Sequence, residues 1–131
     1  MTILATVLAI IIFITPTVTS VAMNDGTELS VSQSEELAVP TEDNVLGYID
    51  QYPQPLFVAH DYLAGDHVMK LMKGGYVTLN YDNGTSVVYQ ITGYLNLKFD
   101  SSGERQYIDE GCIYFQTCYG DGIRTVIACK K

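Results

Sequence analysis

Three side chains have the types and the order that covalent acyl transfer needs: His60, Cys118 and Arg124. Cys118 closes the run Ile113-Tyr114-Phe115-Gln116-Thr117-Cys118, and Arg124 stands near the start of a second run, residues 123–128. Both runs are rich in β-branched and aromatic residues and read as strands. Gly120, Asp121 and Gly122 between them read as a tight turn. The pair is therefore predicted to be an antiparallel hairpin carrying a thiol and a guanidinium side by side at one end of a sheet. With the turn centred near Gly120–Asp121, the register sets Thr117 opposite Arg124 and Cys112 opposite Cys129. A fixed positive charge beside a strand-end thiol favours the thiolate, which is the nucleophilic form.

Acyl transfer also requires a proton partner, and the chain has two histidines, His60 and His67. His60 ends the apolar run Pro55-Leu56-Phe57-Val58-Ala59, where the chain leaves a predicted strand, a place from which loops commonly mount reactive side chains. His67 falls inside residues 61–73, whose apolar spacing predicts a short amphipathic helix, and is read as facing solvent. Gly74-Gly75 ends that helix. No C-x-x-C or H-x-x-H spacing occurs, so neither a metal nor any other cofactor is expected.

The order Val58-Ala59-His60, short helical segment, Gly74-Gly75-Tyr76-Val77, Thr117-Cys118 and then Arg124 resembles the sortase family, over roughly residues 46–128. That family carries a strand-end His, a Thr-Leu-x-Thr-Cys strand and a downstream Arg; here Tyr114-Phe115-Gln116-Thr117-Cys118 keeps only the final Thr-Cys. The resemblance implies a cysteine transpeptidase in which Cys118 attacks a backbone carbonyl of an exported peptide. His60 would exchange protons with leaving and incoming amines, and Arg124 would stabilise the oxyanion. Thr117 would help to bind substrate. The implied partners are an exported protein with a Leu-Pro-x-Thr-Gly-like sorting signal and an amine acceptor of the cell envelope. The stretch before the cysteine strand, residues 100–111, is shorter than the insert that shapes the groove in full-length sortases. This leaves open an alternative: a non-catalytic exported β-domain that binds a surface partner. An L,D-transpeptidase also uses Cys, His and Arg, but places its Arg two residues after the Cys in a Ser-x-Gly-Cys context, which this spacing does not match.

The rest of the chain gives the address and the frame. Residues 1–23 carry no charge, and residues 3–14 are almost wholly apolar. With Pro16 and the small residues Ser20-Val21-Ala22, residues 1–22 read as an export signal cleaved after Ala22, or as a retained membrane anchor spanning residues 3–22. Export to the cell surface or beyond is expected, with membrane contact only through this segment. Residues 23–44, rich in Ser, Thr, Glu and Gln, are expected to be a flexible linker, and residues 45–131 the folded domain. The formal net charge is −8, from 15 acidic and 7 basic residues, with no basic run, which argues against a nucleic-acid partner.

Within the folded part, residues 45–49 and 56–60 read as strands separated by proline-broken chain. Residues 76–81 and 86–91 form the clearest hairpin, with Asn83-Gly84 expected to supply a type I′ turn. Asn83-Gly84-Thr85 also matches a glycosylation sequon, although the turn alone accounts for it. Residues 93–99 continue as a bent strand, with Gly93 at a bulge or corner. The fold class that follows is mainly β, a small β-barrel or curled sheet with one short helix, and the resemblance implies a closed or partly open sortase-like barrel. Three cysteines in an exported chain leave one unpaired by arithmetic. The hairpin register suggests a Cys112–Cys129 disulfide with Cys118 free; three free cysteines is the other possibility.

Overall fold

The computed structural model describes residues 15–33, 39–49, 54–98 and 109–131. The apolar stretch before residue 15 and most of the loop expected at 100–111 lie outside them. Among the described residues, eight strands and one helix follow in order: β1 (Val18–Met23), β2 (Glu28–Gln33), β3 (Val45–Ile49), β4 (Leu56–Ala59), α1 (Gly65–Met69), β5 (Tyr76–Tyr81), β6 (Ser86–Lys98), β7 (Cys112–Tyr119) and β8 (Gly122–Lys130). They close into a barrel in the order β1-β2-β3-β4-β7-β8-β6-β5, and β5 pairs back onto β1. Two pairings are parallel, β2 with β3 and β4 with β7. Among the described residues, no helix is long and apolar enough to cross a membrane.

The barrel begins earlier than the sequence suggests. Residues expected to end a cleaved signal form β1, and part of the expected linker forms β2. β1 buries Val18, Val21 and Met23 in the main core, while β2 buries Leu29. Cleavage after Ala22 would cut through β1, which is paired on both sides. These strands are short and Ser/Thr-rich, with polar residues on the outward face. β2 alternates Leu29 and Val31 with polar residues, and a register shift between Val18 and Ser20 breaks the alternation of β1, so neither stands out from the polar stretch that a linker would also have.

Alternation sorts the side chains of β4 and β7 between two clusters. Phe57, Ala59, Ile113 and Phe115 point into the barrel core, joined there by Val126 and Ala128 of β8. Leu56, Val58, Cys112 and Tyr114 form a smaller cluster on the outer face, with Val39, Ile127 and Cys129 packed against it. Phe57 stacks on Phe115 with centroids 5.2 Å apart, tying the parallel pair β4–β7 together from inside. The helix is shorter than the 61–73 expected, but Val68 and the preceding Ala64 are fully buried and plug the barrel beside it.

Both predicted hairpins form. The one between β5 and β6 turns differently from expectation: only Gly84, at φ 84°, is left-handed, Gly84 N–H donates to the Tyr81 carbonyl, and Tyr81 N–H donates to that of Thr85. This is a type I turn closed by a glycine bulge. Asn83 serves it through its side chain, Oδ1 accepting from the Thr85 amide at 3.1 Å and the Thr85 hydroxyl at 2.6 Å. β6 runs unbroken to Lys98, with the expected irregularity appearing as a register shift between Ile91 and Gly93.

Cys112 and Cys129 face each other across β7–β8 and are disulfide-bonded, with 17 residues of sequence separation. A loop of that length gives about 3 kcal/mol in the chain-entropy account. Replacing both cysteines by alanine should lower the unfolding free energy by that order, measured by urea denaturation against the oxidised wild type. A second stability prediction concerns Tyr89, whose phenol is pushed up to about 12 by burial in the core and by the neighbouring Tyr81. Because the folded state holds this group neutral while the unfolded chain ionises it near its ordinary value of about 10, Tyr89 favours unfolding as pH rises above 10. The melting temperature should fall between pH 10 and 12, and Tyr89→Phe should reduce the slope.

Candidate active site

The parallel register of β4 and β7 sets Leu56 beside Tyr114, Phe57 beside Phe115, Val58 beside Gln116 and Ala59 beside Thr117. His60 and Cys118 are the next residues along each strand. Val58 and Cys118 both belong to the outward-facing set, and His60 continues the outward phase of β4 as the chain turns away. Neighbouring strands run roughly 5 Å apart, so the imidazole and thiol rise from adjacent positions on one face. They line a common cavity of about 140 Å³ together with Val39, Val58, Ala59, Gln116, Thr117 and Ile123. Cys118 is half-buried and is the free thiol among the described cysteines.

The walls of this cavity are mostly apolar. Val58 and Ile123 come from β4 and β8, and Val39 comes from the connection between β2 and β3. Pro40, next to Val39, lies close against the outer face because Gly47 has no side chain: a Cβ there would stand 2.8 Å from Pro40 Cδ and 3.0 Å from Val58 Cγ2. Sequence reasoning missed Val39 because it sits in polar chain read as a linker. The outward phase of Ile123 and Val58, by contrast, was available from alternation along the strands. His60 is steadied from the solvent side by Tyr62, whose ring stacks on the imidazole with centroids 5.2 Å apart and an interplanar angle of 19°.

Arg124 stands elsewhere. The two-residue turn at Gly120–Asp121, with Gly120 at φ 57°, pairs Cys118 with Ile123 and Thr117 with Arg124. Directly opposed residues of an antiparallel pair share a face, so Arg124 shares the inward phase of Thr117 and Cys118 points the other way. The register expected from sequence is therefore the register found, and its consequence is the reverse of the side-by-side placement expected for thiol and guanidinium. Arg124 Nε donates to Asn96 Oδ1 at 3.1 Å across β8–β6. Its guanidinium carbon lies 5.0 Å from the Tyr94 ring centroid and 4.2 Å from that of Tyr119. Arg124 thus fastens β6, β7 and β8 together at the barrel end. Exposed cation–π contacts give about 0.5–1 kcal/mol each. Arg124→Ala should lower stability by about 1–2 kcal/mol in urea titration while leaving the alkylation rate of Cys118 unchanged.

His67 lies away from Cys118, lining a separate cleft with Asp25, Lys70 and Tyr76. Thr117 is buried at 3 % exposure against α1, and its Oγ1 has no hydrogen-bond partner in the structure. Among the described residues, no group of three or more His, Cys, Asp or Glu side chains is arranged to hold a metal.

No protein-family model and no curated protein matches the sequence. The fold, in contrast, has many solved counterparts. Clostridium perfringens sortase C superposes with a TM-score of 0.68 over 88 % of this chain and 71 % of that one, at 15 % identity. Listeria monocytogenes sortase A gives 0.65 over 87 % and 86 %, at 17 % identity. Streptomyces avermitilis sortase E gives 0.62 over 86 % of each chain, at 19 % identity. The barrel has a sortase-like fold.

Proposed function

We propose that this domain is a sortase-like cysteine transpeptidase or peptidase that works through Cys118 and His60. The observation that carries the reading is that a half-buried free thiol and an imidazole open into one small apolar cavity at the ends of adjacent parallel strands. In this reading the Cys118 sulfur attacks a peptide carbonyl, the C–N bond breaks, and His60 delivers a proton to the departing amine. An incoming amine or water then adds to the thioester, His60 takes its proton, and the thiol is released. The substrate is an exported protein or peptide with a sorting signal, and the acceptor an amine of the cell envelope. The sortase C neighbour, solved with a C-terminal cell wall sorting motif, supports this choice of substrate class. The domain acts outside the cell, held to the membrane or released. Arg124 is left out of the chemical step, because its guanidinium is committed to Asn96, Tyr94 and Tyr119 on the other face.

A second reading has one specific observation in its favour. With Arg124 engaged in that stack, the described lining of the cavity contains no lysine or arginine to meet an oxyanion, as suits a degenerate domain that only binds a surface partner. The pH dependence of Cys118 alkylation in wild type and in His60→Ala separates the two. A profile that depends on His60 supports the enzyme; an identical profile in both proteins supports the binding domain.

A further inference from the structure

Beyond the end of β4, one carbonyl oxygen gathers the turn that leads into α1. His60 O accepts the amide of Leu63 at 3.1 Å and that of Gly65 at 2.9 Å. Two donors on one acceptor fix the peptide plane that leaves His60, and with it the direction in which the imidazole departs. Gly65 then starts α1, whose Val68 is fully buried in the core.

Gly65 also meets the other strand. A Cβ built on it would overlap both the Thr117 hydroxyl oxygen and the His60 carbonyl oxygen, and would lie 2.7 Å from the His60 carbonyl carbon. Thr117 immediately precedes Cys118, and its buried Oγ1, which lacks a hydrogen-bond partner, lies against the bare Gly65 backbone. Gly65 does not appear among the residues of positive φ. Space, and not backbone freedom, is what restricts this position to glycine. One methylene thus fills the gap between the carbonyl that anchors His60 on β4 and the side chain that precedes the thiol on β7.

We propose that Gly65 is a positioning residue for the Cys118–His60 pair, acting as the spacer that sets imidazole against thiol; this rests on the paired-site reading above. A side chain at position 65 has to push either the His60 peptide or Thr117 aside. Each displacement moves one partner relative to the other while leaving the strand ladders beneath in place.

The test is a double-mutant cycle on the full chain, reading the pH profile of Cys118 alkylation by iodoacetamide. It uses wild type, His60→Ala, Gly65→Ala and the double variant, with near-UV circular dichroism to verify the barrel. In the wild-type background, His60→Ala should change the rate at neutral pH several-fold. In the Gly65→Ala background, the same substitution should change nothing further, the ratio of rates falling to one. A folded Gly65→Ala protein that retains the full His60 effect overturns the proposal. A wild type indifferent to His60→Ala removes the paired site itself, and the proposal with it. Should Gly65→Ala not fold, Leu63→Pro deletes the other amide that anchors the His60 carbonyl, and the cycle is repeated on that protein. Loss of coupling there supports the anchor. Full coupling, or failure of this variant also to fold, makes residues 63–65 a folding determinant only and overturns the proposal.

Discussion

Replacing Cys118 by alanine should abolish cleavage of an internally quenched peptide bearing a Leu-Pro-x-Thr-Gly-like signal, and His60→Ala should reduce it by about 10²–10⁴-fold, the usual range for a positioned general acid–base. The two losses differ in kind. Without the sulfur no thioester forms, and mass spectrometry should find no acyl adduct on the protein. Without the imidazole the thioester forms slowly, because the departing amine must take its proton from solvent. Both substitutions should be tolerated by the fold: Cys118 is half-buried at the end of β7, and His60 lies beyond the end of β4. A wild type whose cleavage rate equals that of Cys118→Ala would sink the enzymatic reading.

The second large effect is on folding. A chain starting at Met23, as cleavage after Ala22 would leave it, should show no cooperative unfolding transition, whereas one starting at Thr15 should melt like the full chain. β1 supplies one neighbour to β2 and one to β5, so its removal opens the barrel and exposes two strand edges. Val18 and Val21 leave the core with it. Each buried side chain of this kind is worth about 1.5–3 kcal/mol, so the two together reach the lower end of the roughly 5–15 kcal/mol that holds a whole domain folded. Thermal melts followed by circular dichroism would decide. Equal melting temperatures for the two truncations would mean that β1 adds nothing to the barrel.

The parts of this molecule that were legible in the sequence are those set by local chemistry. The β7–β8 register follows from the short turn, and with it the pairing of Cys112 with Cys129 and of Thr117 with Arg124. The β5–β6 hairpin follows from alternating apolar residues around Asn83-Gly84, although the turn type did not. What was missed depends on neighbours distant along the chain. β1 and β2 become strands because β5 and β3 lie beside them, and nothing in a polar stretch such as Glu28–Gln33 announces that parallel partner. The face of Arg124 was in principle readable: once Thr117 is taken as its opposite, Cys118 has to point the other way. Gly65 gave no signal, since the reason for its smallness is packing against a carbonyl five residues back and a hydroxyl on β7.

The parallel pairing of β4 with β7 and the seam of β1 against β5 have a kinetic consequence. A chain that emerges N-terminus first, from a ribosome or across a membrane, presents the outer edges of β1 and β4 before their partners β5 and β7 exist. β4 has to wait for β7, and β6 for β8, the last strand to appear. Closure therefore comes late and depends on contacts far apart in sequence, the regime in which folding is slow. Until then β1 and β4 present unpaired edges, and the interval is the one in which the chain is most exposed to aggregation and proteolysis. Cys129 sits in that final strand, so the bond to Cys112 forms only once the whole barrel-forming sequence has been delivered. The disulfide can close only at the end of delivery, as a latch on the completed sequence.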